Sequence, residues 1–503
     1  VVAAKTWIGT PSDGGWALTL LRYRYDTGEA FGSPVVWPSE PNSTNYFVPT
    51  AMEVVQGGCG GGGSDGTTGS ARVIVTGYSQ ATQHGNTDFH TVCWGGSLGM
   101  PLWSHTHSRP GPVATLPGLV DDYPVDIAAG PGVNYYSYPE PTVTTVVGVT
   151  GNCYHAGGWD AHTILYDSNT GQILGMNFLQ AGSAAYKVCG INIFPDSYGP
   201  YPNSRFQIAG TYTNPAIPGS NYLFAACYRA VDYKPSVWEQ HQIDLMYTGE
   251  WFTANAMRGY AVSGVDADQV YLAGKASGIE DSFMFLARID LFNSGDYLTR
   301  FSFDDGNPET PFAGEALALD MFPGGSGLPR MIAIGGHTRR DASRGNDAVV
   351  ALYNENSGSP NLRWTAWLNH PSTPAFNISD VCSAVRIDLT TSTSPPGDPL
   401  EWFYVYAAGQ VPTSALDTNT RIVVFSSFES ASPTNPNSKP WYVDPLDYSG
   451  SASGGDLPRA LSVNPFFQIG DPLHHLVVVS DVWNGSSTGF DVLTRRAVFN
   501  EEP

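Results

Sequence analysis

A short apolar β-type run closing on a small residue and a glycine recurs along this chain, and no other feature limits its fold as tightly. The copies are Ile74-Val75-Thr76-Gly77, Gly148-Val149-Thr150-Gly151, Gln207-Ile208-Ala209-Gly210, Tyr271-Leu272-Ala273-Gly274, Ala333-Ile334-Gly335-Gly336 and Tyr406-Ala407-Ala408-Gly409. Thr6-Trp7-Ile8-Gly9 and Val478-Val479-Ser480-Asp481 are degenerate copies. Their spacing of about 60 to 75 residues implies one supersecondary unit repeated with long loops.

Each copy has similar neighbours. A short alternating strand precedes it, at residues 51–54, 125–128, 186–189, 261–265, 316–319, 384–387 and 460–463. After a polar loop comes a third strand, often opened by aspartate: Asp88, Asp160, Asp281, Asp347 and Asp491. A fourth commonly carries tryptophan: Trp103, Trp238, Trp364 and Trp441. The period of two puts alternate residues on opposite faces of a sheet. Four meandering strands cannot bury both faces alone, whereas sheets packed one against the next in a ring can. The small residue and glycine fit a place where sheets converge or the chain turns sharply. The aspartate fits a turn whose backbone N–H groups its carboxylate caps.

This unit resembles the bacterial secreted seven-bladed β-propeller repeat family, over nearly the whole chain. The resemblance implies an all-β fold, with residues 1–503 as one β-propeller domain. Seven four-stranded blades are favoured, and eight are the alternative. The family has no common catalytic motif to carry over. Residues 17–21 and 35–37 read as strands, and the C-terminal repeat from residue 460 to 500 lacks a fourth one. Segment 1–38 is therefore expected to complete or extend the closing blade. Insertions at 57–64 and 391–399 depart from the family pattern.

Charge narrows the partners. The chain carries 46 acidic and 24 basic residues, a formal net charge of −22. Such a surface repels nucleic acid, which needs basic groups to neutralise phosphates. It also gains nothing from anionic membranes. No apolar run approaches the roughly 20 residues of a membrane-spanning helix. Solubility is the plain consequence of the charge, and attraction of cations such as Ca2+ is the functional one. The six cysteines form no C-x-x-C pair, so disulfides and buried thiols both stay open. The start at Val1, with no basic segment leading into an apolar one, reads as a mature secreted chain whose signal peptide has been removed.

Candidate chemistry lies in the loops that a propeller gathers on one face. His84, His155 and His337 follow the glycine motif, and His105, His107 and His370 follow the fourth strand. His105 and His107 point the same way in an extended segment and could begin a transition-metal site; the alternative is histidines scattered over separate blades. Arg339, Arg340 and Arg344 form the densest basic cluster, suited to carboxylate or sulfate, or else a solvated loop. Tyr135, Tyr136 and Tyr138 could stack on sugars or a protein partner, or pack on their own blade. Asp121-Asp122, Asp266/Asp268 and Asp304-Asp305 suit calcium or simple turns. No hydrolase elbow, zinc-protease, P-loop or dinucleotide motif occurs.

The expected function is extracellular or cell-surface binding or structure, without catalysis, through loops that contact a protein or carbohydrate or drive self-assembly. The alternatives are an enzyme acting on extracellular polysaccharide or another polymer, and a metal-dependent oxidoreductase using the loop histidines.

Overall fold

The structure is a computed structural model. It describes residues 1–10, 13–24, 29–41, 45–55, 71–80, 87–108, 121–134, 142–155, 158–179, 185–196, 203–213, 221–231, 234–245, 251–260, 269–278, 281–291, 296–301, 314–324, 329–339, 346–355, 359–368, 380–389, 403–414, 417–426, 442–443, 457–463, 473–483 and 490–500. Among these residues the fold is all-β. Among them no helix is long and apolar enough to cross a membrane.

Among the described residues the strands form eight small antiparallel sheets in chain order, each a meander of sequential strands. Sheet 1 (residues 2–37) and sheet 8 (457–500) have three strands each. Sheets 2 to 7 have four each and cover residues 47–107, 121–179, 185–245, 251–301, 314–367 and 381–443. Segment 1–38 makes a sheet of its own: Val2–Ile8 pairs with Gly15–Leu21, which pairs with Val35–Trp37. Gly9 lies just past the end of Val2–Ile8 at φ +99°, in the turn of that hairpin. Thr6-Trp7-Ile8-Gly9 is therefore a hairpin end and differs from the other motif copies, whose glycines lie within strands. A second difference concerns sheet 5. Its first strand is Trp251–Tyr260, and the expected strand at 261–265 falls outside the described residues.

The register explains the motif. In sheets 2, 3, 4, 6 and 7 the first strand skips one residue, a β-bulge, opposite the motif. Gly77 faces Pro49, Gly151 faces Pro124 and Gly336 faces Ala316, each at the edge of a bulge. The bulged backbone kinks toward the second strand. A Cβ on Gly77, Gly151, Gly210, Gly274 or Gly336 would fall 1.9 to 2.2 Å from a first-strand carbonyl oxygen. The glycine is thus required by close backbone approach, and the second strand runs on past it. Gly77 lies inside Arg72–Gln80 and Gly336 inside Arg330–Arg339.

The chain divides into two compact units: residues 1–249 with 259–270 and 289–294, and residues 250–258 with 271–288 and 295–503. In the first unit, Leu18, Phe47, Val75, Val92 and Trp94 join sheets 1 and 2, while Phe89, Trp103, Val149, Ile164 and Tyr166 join sheets 2 and 3. In the second, Val350, Leu352, Trp364, Val405 and Val423 join sheets 6 and 7. Each side chain so buried contributes roughly 1.5–3 kcal/mol, which explains why lone sheets would not persist. Polar staples reinforce the junctions. Trp103 Nε1 donates to the Ser168 carbonyl at 3.0 Å. Glu355 accepts hydrogen bonds from Tyr271, Arg288 and Arg330 in a buried network. Cys93 and Cys382 are buried thiols, pushed up to about 12 by burial, and neither forms a disulfide.

Candidate binding surface

The bulge that fixes the glycine also sets which side chains stand at that end of each sheet. In sheet 3 the carbonyl pressing on Gly151 belongs to Tyr123. In sheet 4 the one pressing on Gly210 belongs to Lys187. Tyr78 immediately follows Gly77 in sheet 2. Tyr154 and Trp159 are cross-strand partners near the hairpin between the second and third strands of sheet 3. These residues form a continuous aromatic array within the first unit. Tyr78 and Tyr123 meet edge-on at 5.1 Å, Tyr123 and Trp159 at 6.1 Å, and Tyr154 and Trp159 at 5.0 Å. Lys187 Nζ lies 5.5 Å from the centre of the Trp159 ring. Tyr46 stands near the other end, without ring contact among the described residues: burial, Tyr78, Tyr123 and Asp121 raise its phenol above the ordinary range. Tyr154 is 39% exposed, Lys187 is exposed, and the other rings are half-buried.

A polar layer lies beside the array. Asp121 Oδ1 accepts from the Thr87 backbone N–H and hydroxyl, both at 3.3 Å. Asp88 and Asp122 are buried. Burial first, then the Asp122 carboxylate, push Asp88 up to about 6, against a hydrogen bond from Ser108. Two carboxyls this close in a low-dielectric junction retain a proton well above the usual carboxylate range. Asp88 is two residues before the residue facing Gly77, and Asp122 two before the residue facing Gly151. Asp347 and Asp380 occupy the same positions relative to Gly336 and Gly409. Burial, then Asp347, push Asp380 up to about 8, with Arg421 opposing.

The candidates read from sequence fall differently. His105 and His107 lie inside the fourth strand of sheet 2, Pro101–His107, and not in a loop. They do share one side, since both rings pack toward sheet 3. His105 stacks on Tyr166 at 5.9 Å, and His107 meets His162 at 5.0 Å. His162 is itself stacked between Phe89 and Phe178. Burial depresses His107. His155 ends the strand Thr142–His155. His337 lies within Arg330–Arg339, half-buried and depressed by burial, with Glu315 and Lys275 close enough to act on it. Arg339 closes that strand, half-buried. His84, Arg340, Arg344, Tyr135, Tyr136 and Tyr138 lie outside the described residues, as do Asp266, Asp268, Asp304, Asp305 and His370. Among the described residues no group of three or more His, Cys, Asp or Glu side chains is placed to hold a metal.

Sequence reasoning missed the array because it sought density, and Tyr135-Tyr136-Ser137-Tyr138 is the densest run. The available signal was position: Tyr78 and Tyr123 flank motif glycines or their partners.

No family model and no curated protein matches this chain. Among solved structures it is similar to Sqt1 of Chaetomium thermophilum, solved bound to the N-terminus of the ribosomal protein L10. Identity there is 11%, covering 88% of this chain and 86% of that one, with a TM-score of 0.42. It is also similar to the NanB sialidase of Streptococcus pneumoniae, at 10% identity over 91% of this chain and 69% of that one, with a TM-score of 0.34.

Proposed function

We propose that the chain is a β-propeller binding protein that works outside the cell or at its surface and takes a saccharide on the aromatic array of sheets 2 to 4. The observation that carries this reading is the unbroken ring-to-ring contact from Tyr78 through Tyr123 and Trp159 to Tyr154, part of it open to solvent. Aromatic faces accept the C–H faces of sugar rings, while phenol, indole and ammonium groups at their edges bond hydroxyls. The eight consecutive meanders support one blade per sheet, hence eight blades. The fold suits the task, since packed sheets hold the rings without reordering on binding. The test is a glycan-array screen of the full chain beside Trp159→Ala. Saccharide binding by the native chain and its loss in the variant support the reading; undiminished binding by the variant defeats it.

A second reading is an enzyme cleaving an extracellular polymer on the same array. The raised carboxyl of Asp88 favours it, because a carboxylic acid still protonated near pH 6 can donate a proton to a leaving group. Product release from a bound polymer, abolished in Asp88→Asn with binding retained, would establish it. Binding without turnover would leave the scaffold reading.

A further inference from the structure

The bulges number the first strands alike from sheet to sheet. Four residues past the one that meets the motif glycine stand Glu53, Ala128 and Asn192 in sheets 2 to 4, and Arg258, Asp320 and Arg386 in sheets 5 to 7. In the second unit, three successive first strands therefore set arginine, aspartate and arginine at one level. Both guanidiniums address the same carboxylate oxygen. Arg258 Nε donates to Asp320 Oδ1 at 3.0 Å and Arg386 Nη1 at 3.1 Å. Asp320 Oδ2 is held by the Ile387 backbone N–H at 2.9 Å. The remaining bonds fix the forks: Arg258 Nη1 donates to the Met257 carbonyl and Arg386 Nε to the Leu461 carbonyl.

This arrangement leaves donors over. A guanidinium carries five N–H groups in a rigid plane. Among the described residues, Nη2 of Arg258 and Nη2 of Arg386 have no protein partner. The two side chains are 33% and 41% exposed, whereas that of Asp320 is 11% exposed. One buried carboxylate thus holds two arginines in place while their outer donors face solvent. The architecture does not require the trio, because sheets 2 to 4 place Glu53, Ala128 and Asn192 at the same step. We propose that Arg258 and Arg386, held by Asp320, form a binding site for an oxyanion, a carboxylate or sulfate group of a ligand bridging the two forks. This site is independent of the aromatic array.

The experiment titrates sodium sulfate, and separately sodium acetate, into the full chain at ionic strength held constant with chloride. Melting temperature and titration calorimetry are the readouts. A saturable response to at least one anion, beyond chloride, is expected, and the anion giving it identifies the tetrahedral or planar group. Arg386→Gln should weaken that response at least tenfold. Asp320→Asn, which removes the competing charge, should strengthen it several-fold. Arg386→Lys keeps the charge without the fork and should fall between the native chain and Arg386→Gln, which keeps the test readable if the glutamine variant folds poorly. Arg459→Gln, at an exposed arginine paired with Asp481, should change nothing. No response beyond chloride to either anion, or an equal response in Arg386→Gln and the native chain, overturns the proposal.

Discussion

At the motif end of the sheets, the two units carry different chemistry on equivalent positions. The residues whose carbonyls press on the motif glycines are Val48, Tyr123 and Lys187 in the first unit, and Thr253, Glu315 and Val381 in the second. The residues after the glycine are Tyr78, Asn152 and Thr211 in the first, and Lys275, His337 and Gln410 in the second. Glu315 and Lys275 both act on His337, so the second unit holds a small charged group where the first holds packed rings. Other positions do not vary in this way. Both units keep the glycine against a bulge, and both set an aspartate pair at the same step, Asp88/Asp122 and Asp347/Asp380, with Asp347 half-buried and the other three buried. What recurs builds the sheets and their junctions. What changes at the same step is available for function.

The strongest way to break this division is to attack a shared position. Gly151→Val and Gly336→Val should each destabilise the chain by about 3 kcal/mol or more, since the new side chain meets backbone that cannot yield. Denaturant unfolding checks this, and a large loss in only one of them would show that the two bulges are not equivalent.

The next effect concerns protons in the first unit. The ring of His90 sits between Ser79 and Ser104, bonded to each at 2.8 Å, and burial then His105 depress it to about 4. A base with a lowered folded pKa contributes stability above its unfolded pKa and loses it as pH falls from about 6.5 toward 4. Asp88, raised to about 6, does the opposite: it costs stability above pH 6, and the cost disappears as pH falls toward 4. The two largely cancel in the native chain. Asp88→Asn should therefore add about 3 kcal/mol at pH 7 and nothing near pH 4, exposing a steep acid loss. Urea unfolding across that range measures it. Asp380→Asn should show its gain at higher pH, complete only above about 8.

Smaller effects fall on the positions that differ. Trp159→Ala should weaken saccharide binding at least tenfold, about 1.4 kcal/mol, with little change in melting temperature. Tyr78→Phe, which keeps the ring and loses the hydroxyl, should weaken it two- to fivefold, as calorimetry would show.

The repeat was legible in the sequence because glycine is nearly irreplaceable where backbones touch, and its spacing survives long insertions. The bulges were not legible, since skipping one residue leaves no compositional mark, so the motif read as a strand end or turn. Gly9 looked like another copy because a hairpin turn selects glycine as readily as a bulge does. Residues 261–265 alternate as well as Trp251–Tyr260 does, so alternation alone did not single out Trp251–Tyr260 as the first strand of sheet 5. Among candidate site residues, His105 and His107 were correctly given a common side by strand periodicity. Their burial against Tyr166 and His162 was invisible, because it depends on the next sheet. The array draws on residues from Tyr78 to Lys187, scattered in sequence and joined only once the register is known.

The most direct measurement is the glycan-array profile of three full-length proteins: the native chain, Tyr123→Ala/Trp159→Ala, and Lys275→Ala/Glu315→Ala. Saccharides bound by the native chain should be lost with the aromatic pair and kept with the charged pair. Binding that survives the first double variant, or disappears with the second, would contradict the assignment of ligand contact to sheets 2 to 4.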